Sequence, residues 1–441
     1  VTISEHAATA SASEPDAYVW AWLPGETDPV VAGALARTGR FVTGEPVLVY
    51  TYGRSYLNRA DAISLFTPEL PLSGGAKDPS DPQPNPDWRG YSPDGGRRPL
   101  SLASCLRDAA PDAWGRRVLN ARLASDPDTP LAELTYLLES GSDRIGALDF
   151  QRSSSHYAAR GHTASLDQLV RAAEFVESGE PIPEDLAAAA LHGSSIGGAR
   201  PKALLEESGR HLIAKFSSAT DDRPVVKAEA VAMLLAARCG INAASVEVVE
   251  VAGRSVLLVE RFDRTETGGR RGVVSALTVL GLDELSSRYS SYAELATAIR
   301  FAGWERPADQ LRELYARMVF NIAVSNTDDH LRNHAAFWEG RSLELTPAYD
   351  LCPQRRSTTV ATHAIALGTN TDHTSQFRVA RRAAGSFGIS DSAAADVIDH
   401  ICSTIRESWR DVCDEARLSR AEAEQLWGRE ILNDYAFWEA S

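Results

Sequence analysis

The sequence predicts an α+β fold in two lobes, with a β-rich N-terminal subdomain and a mostly helical C-terminal lobe. Three observations carry this. Short runs rich in Val, Trp and Tyr between Tyr18 and Tyr52 are separated by turn residues, and two alternating runs cover Ser245 to Val259. Leu311, Leu314, Tyr315, Met318, Val319 and Ile322 recur at three- and four-residue steps, as do Val397, Ile401, Ile405, Trp409 and Val412; this is the spacing of buried helix faces. Between these two helical patterns, the stretch from Asn321 to Asp350, NIAVSNTDDHLRNHAAFWEGRSLELTPAYD, reads as helix, loop, strand, turn, strand and carboxylate.

Composition narrows the class. A chain of 441 residues with 44% hydrophobic content can bury two or three domain-sized cores. Its formal net charge of -15 argues against a surface that holds nucleic acid or an anionic membrane unaided, so DNA contact would need a partner or a local basic patch. Arg378, Arg381 and Arg382 are one such patch, or equally a solvated helix face. Five widely spaced cysteines without a CxxC pair suggest reduced thiols and argue against zinc. The first residues show no signal-peptide pattern, and no apolar run is long enough to span a bilayer, so the expectation is a soluble, cytoplasmic protein.

In chain order, residues 1–16 read as a polar tail. An N-terminal subdomain follows over 17–150, with turns expected at Pro24, Gly25, Gly39 and Gly44 and a Pro-, Gly- and Asp-rich loop over 73–98. Within it Trp114, Val118, Leu119 and Leu123 form a helical stripe, and GSDRIGALDFQ from Gly141 reads as a turn and a strand. Residues 151–272 open with helices over Leu166–Val176 and Pro183–Leu191 and lead into HGSSIGGARPKALLEE. There Gly197 and Gly198 would let backbone amides approach phosphate oxygens, with Lys202 in reach. The alternative is a plain glycine hairpin. A P-loop is disfavoured, because Ala199 stands where that motif puts lysine.

The next strand, HLIAKFSS, carries Lys215, placed one strand after a glycine loop as a phosphate-binding lysine would be. In the helix from Val225 to Arg238, Glu229 could pair with Lys215, but an exposed first-turn glutamate is the preferred reading. The strands of Ser245–Val259 turn at Gly253 and run into ERFDR; Glu260, Arg261 and Phe262 would then line a hinge at the adenine, or form a charged strand end. Residues 273–441 form the helical lobe.

The chemistry concentrates in the polar stretch. Phosphoryl transfer needs a carboxylate to take the proton of the attacking hydroxyl, and an amide and a second carboxylate to hold magnesium. Asp328, followed five positions later by Asn333, has the base-to-ligand interval of a kinase catalytic loop, and Asp350 falls one hairpin later. Such hard oxygen ligands suit magnesium. The competing reading is a solvated turn.

Taken in order, the strings SSIGGARPK, HLIAKF, ERFDR, NTDDHLRN and LTPAYDLCP resemble the HipA family of toxin serine/threonine kinases, and AYVWAWLPG, ISLFTPELPL and AAPDAWGRR resemble its N-terminal subdomain. The resemblance implies a two-lobed protein-kinase-like fold. It makes Asp328 the catalytic base, Asn333 and Asp350 the magnesium ligands, and Lys215 a contact to ATP phosphates. Residues Gly197, Gly198, Ala199, Arg200, Pro201 and Lys202 become the nucleotide loop, and the backbone around Glu260, Arg261 and Phe262 the adenine site. His330, Arg332 and Tyr349 stand in the matching strings beside the nucleotide, and Ser195 takes the place of a regulatory phosphorylated serine; about two negative charges there would repel ATP from the loop. Arg200 and Arg332 replace residues expected as glutamine and lysine. The family further implies a helix-turn-helix antitoxin partner, DNA contact through that partner, and an aminoacyl-tRNA synthetase as acceptor class. A small-molecule or lipid kinase, and a non-catalytic corepressor, remain alternatives.

Overall fold

The computed structural model describes residues 14–81, 99–124, 129–161, 164–178, 180, 182–186, 189, 195, 200–217, 221–301, 303–356, 358–369 and 371–438. Gly197, Gly198 and Ala199, most of the polar tail, residues 82–98 of the loop and parts of the Pro183–Leu191 helix lie outside these residues. Among the described residues, no helix is long and apolar enough to cross a membrane.

Among the described residues, three antiparallel sheets order the chain. The first has strand order β4-β3-β2-β1-β5, from β1 (Ala17–Ala21), β2 (Val30–Val42), β3 (Glu45–Tyr52), β4 (Ala76–Lys77) and β5 (Leu148–Gln151). The turn expected at Gly39 does not form. β2 runs through it with a shift of register between Arg37 and Phe41, and the chain reverses at Thr43 and Gly44, both at positive φ. An irregular strand tolerates an interior glycine, so composition alone misplaces the reversal.

The second sheet, order β6-β7-β9-β8, comprises β6 (Lys202–Glu207), β7 (Arg210–Phe216), β8 (Val246–Val251) and β9 (Arg254–Glu260). Alternation along these strands divides its two faces. Ala203, Leu212, Ala214, Phe216, Val256 and Leu258 join a core with Trp114, Val118 and the Leu166–Ser178 helix. Val248, Leu257 and Val259 pack on the other face into the main core, which includes the Val225–Arg238 helix. Lys215 stands on this second face, between residues that face the first core.

The third sheet, β10 (Val273–Ser275), β11 (Ala335–Trp338) and β12 (Leu343–Leu345), holds the expected hairpin, with Gly340 at φ 92° turning one strand into the next. The preceding helix spans Pro307–Ala323 and buries all six residues of its predicted stripe. It packs against the Tyr292–Phe301 helix and the 25-residue Asp391–Glu415 helix, so the loop that follows it springs from a buried helix end.

Candidate active site

The register of β6 against β7 puts Lys202 directly opposite Lys215. Directly paired residues share a face, and like charges so placed repel. Both lysines are nevertheless nearly buried. Burial, then the charge of Lys215, brings the Lys202 ammonium down to about 8. Lys215 is treated oppositely. Burial alone would lower its pKa, but its Nζ lies 2.5 Å from Asp350 Oδ1 and 2.5 Å from Glu229 Oε1, and the two carboxylates together hold it above its ordinary value.

Glu229 is thus neither exposed nor in the first helical turn: it is 3% exposed and directed at the lysine. The Val225–Arg238 helix covers the sheet face that carries Lys215, so the glutamate on its inner side meets the lysine. Burial pushes the Glu229 carboxyl up despite that partner.

Asp350 has a left-handed backbone, φ 58°, uncommon for a residue other than glycine. Such conformations persist where surrounding contacts over-determine them. Here Tyr349 supplies one: its hydroxyl donates to the Arg332 carbonyl at 2.6 Å, tying the hairpin end to the polar loop. Lys215, first among its neighbours, holds the Asp350 carboxyl well below the usual carboxylate range. Its side chain remains 39% exposed.

The polar loop opens after the Pro307–Ala323 helix. Asp328 is exposed while Asp329, its neighbour, is buried. Partial burial, together with Asp350 and Asp329, pushes the Asp328 carboxyl up, with His330 acting against the shift. Asn333 Nδ2 donates to the Asp328 carbonyl at 3.1 Å, an arrangement that leaves its side-chain oxygen for another partner. The remaining oxygens of Asn333 and Asp350 are hard donors of the kind a magnesium ion takes, with phosphate and water completing its shell.

Other predicted residues have side chains committed elsewhere. The Arg261 guanidinium bonds Asp263 and, at 2.9 Å, Asp143, within a buried cluster that also holds Arg264. Its N–H donates to the His211 carbonyl and that of Glu260 to Ser245, so sheet pairing consumes both amides. Glu260 reaches Arg210 at 3.4 Å. Phe262 instead faces the site, its ring centroid 5.7 Å from that of Tyr349. Arg332 pairs with Glu284 at 2.5 Å and approaches Asp108 at 3.5 Å. Arg200 is held by Asp221, and the Pro201 carbonyl accepts from Phe216. Ser195 is buried, its hydroxyl donating to the Asp143 carbonyl at 2.9 Å.

Comparison with known proteins bears on the family and the fold. Residues 194–409 match the HipA-like C-terminal domain family. The candidate kinase Y4mE of Sinorhizobium fredii is 30% identical over 150 residues, 32% of this chain and 33% of that protein. The serine/threonine-protein kinase toxin HipA of Shewanella oneidensis is 27% identical over 186 residues, 36% of this chain and 42% of that one. The matches therefore span less than half the length of either relative. In three dimensions, HipA of Shewanella oneidensis MR-1, solved with HipB and operator DNA, superposes with a TM-score of 0.65 and 18% identity, covering 96% of this chain and 100% of that chain. Residues 194–409 thus form a HipA-like C-terminal domain, and the chain carries the α+β, kinase-like HipA fold along nearly its whole length.

Proposed function

We propose that the protein is an ATP- and magnesium-dependent protein serine/threonine kinase, the toxin of a toxin-antitoxin pair in the cytoplasm. The observation that carries this is Lys215 held between Glu229 and Asp350, at 2.5 Å from each. A kinase needs that triad of lysine, helix glutamate and metal-binding aspartate in place together. The facing Lys202 supports the reading, since two nearly buried, opposed ammonium groups are an arrangement that a polyphosphate stabilises.

In this scheme Asp328 accepts the proton of the attacking hydroxyl, and its raised pKa makes it a better base. Asn333 and Asp350 hold magnesium, which when bound offsets the charge of the phosphates. Lys215 and Lys202 position those phosphates, Phe262 and Tyr349 border the base, and residues 197–202 are assigned to the nucleotide loop by their sequence. Arg332 ties the loop to Glu284 and Asp108, and His330 supports the loop or touches ATP. Ser195 is the proposed autophosphorylation site; being buried against Asp143, it must leave that contact before it can react. The Shewanella protein was solved with HipB and operator DNA, which supports a DNA-binding helix-turn-helix antitoxin as partner here, with DNA contacted through it. The acceptor is a protein hydroxyl, and an aminoacyl-tRNA synthetase is the first class to test.

Incubation with magnesium and γ-labelled ATP, alone and with cell lysate, tests the proposal. Label on Ser195 or on a lysate protein is expected. Label only on a small molecule or lipid would move the assignment to that acceptor, and no label at all despite ATP binding would favour a non-catalytic corepressor.

A further inference from the structure

Consecutive carboxylates in the polar loop have opposite fates. Asp328 faces solvent, whereas Asp329 is 1% exposed and turned into the lobe. There the Tyr292 hydroxyl, itself fully buried, donates to Asp329 Oδ2. The same hydroxyl accepts from Asn321 Nδ2 at 3.1 Å, and Asn321 Oδ1 accepts from Asn326 Nδ2 at 3.0 Å. On the other side His334 Nε2 lies 2.8 Å from Asp329 Oδ1, and its ring stands edge-on to Tyr292 with centroids 5.3 Å apart.

This polar chain begins at Asn326 and ends at His334, both in the loop, and between them it is fastened to two helices. Tyr292 opens the Tyr292–Phe301 helix, and Asn321 sits in the last turn of the Pro307–Ala323 helix. Everything between the ends, including Asp328 and Asn333, is therefore stapled across its back. Burying a carboxylate beside the active face is costly unless it is paired; here Oδ2 takes the Tyr292 hydroxyl, Oδ1 has the His334 ring at 2.8 Å without hydrogen-bond geometry, and the directed bonds through Tyr292, Asn321 and Asn326 restrict the geometry of the loop. A loop held only by apolar packing would have no comparable orientational constraint.

We propose that Asp329 and Tyr292 are positioning residues, which hold Asp328 and Asn333 in register with each other and with Asp350. Neither touches the reacting atoms; they act through the loop backbone. The inference rests on the kinase reading for its catalytic consequence, but not for the anchoring itself.

The test uses the full chain carrying Tyr292→Phe, Asp329→Asn or Asp329→Ala, with magnesium-ATP as the probe. Displacing reacting groups by about 1 Å costs on the order of a hundredfold in rate, so Tyr292→Phe should lower kcat by about 10- to 100-fold while leaving ATP affinity within about twofold. Amide hydrogen exchange should accelerate over residues 326–334 and not elsewhere. Asp329→Asn, which keeps an acceptor for Tyr292, should retain more turnover than Asp329→Ala. Unchanged exchange over 326–334 in Tyr292→Phe overturns the proposal whether or not the protein turns ATP over, as does a loosened loop with unchanged kcat. Exchange rising through the whole C-terminal lobe would mark a merely structural role and also overturn it. A wild type without turnover, whose loop still loosens in Tyr292→Phe, supports the anchoring and refutes the kinase reading alone.

Discussion

Replacing Lys215 with methionine keeps most of the side-chain volume and removes the charge that lies 2.5 Å from both Glu229 and Asp350. Asp350, with a side chain 39% exposed, is left facing water at little cost. Glu229, with a side chain 4% exposed, is not. A buried carboxylate stripped of its partner costs roughly 3–5 kcal/mol. Glu229 can limit that by binding a proton. From its ordinary pKa of 4.5, remaining neutral at pH 7 costs about 3.4 kcal/mol, at about 1.4 kcal/mol per pH unit. The loss at pH 7 should therefore be about 3 kcal/mol, shrinking to under about 1 kcal/mol at pH 5. The sign follows from the direction of the shift. Removing Lys215 raises the folded-state pKa of Glu229 further above its unfolded value, so the variant loses stability relative to wild type as pH rises. Denaturant unfolding of both proteins at pH 5 and pH 7 reads this directly, and Lys215→Met with Glu229→Met should recover most of the loss. An equal loss at both pH values, or a loss below about 1 kcal/mol at pH 7, would refute the reasoning.

Three further outcomes follow from the same geometry. Lys202, brought down to about 8 by burial, should take up a proton when phosphates arrive. Titration of ATP at pH 8.5 in buffers of different ionisation enthalpy should show uptake in the wild type and none in Lys202→Met. Asp263, buried between Arg261 and Arg264, should cost roughly 3 kcal/mol of unfolding free energy when replaced by Asn; a change below about 1 kcal/mol would deny the cluster a structural role. A Cβ at Gly272 would lie 2.2 Å from the Trp338 carbonyl oxygen, so Gly272→Ala should force β10 from β11 and lower stability by about 1–3 kcal/mol, visible as an earlier thermal transition.

Period-two alternation made much of this fold legible. It marked the strands around Lys215 and the hairpin before Asp350, and three- and four-residue steps marked the helix that launches the polar loop. The Asp328 to Asn333 interval is local, so it too can be seen in one dimension. Glu229 could not be: its partner depends on which side of a helix covers which side of a sheet, and first-turn electrostatics suggested an exposed residue. Arg261 and Arg332 show the same limit. Their partners Asp143 and Asp108 lie more than a hundred residues earlier, in the N-terminal subdomain, and no spacing rule connects them. Nor does a pair of adjacent aspartates reveal that one faces solvent and the other a buried tyrosine; only the packing of the Tyr292–Phe301 helix decides it.

The role given to Asp328 is tested most directly by phosphoryl transfer from γ-labelled ATP in magnesium, comparing wild type with Asp328→Ala at matched nucleotide occupancy. Asp328 is exposed and contacts neither lysine, so the substitution should leave ATP affinity intact. Loss of transfer by about a hundredfold or more, with ATP affinity unchanged, is the predicted result. Transfer at the wild-type rate in Asp328→Ala would contradict the account.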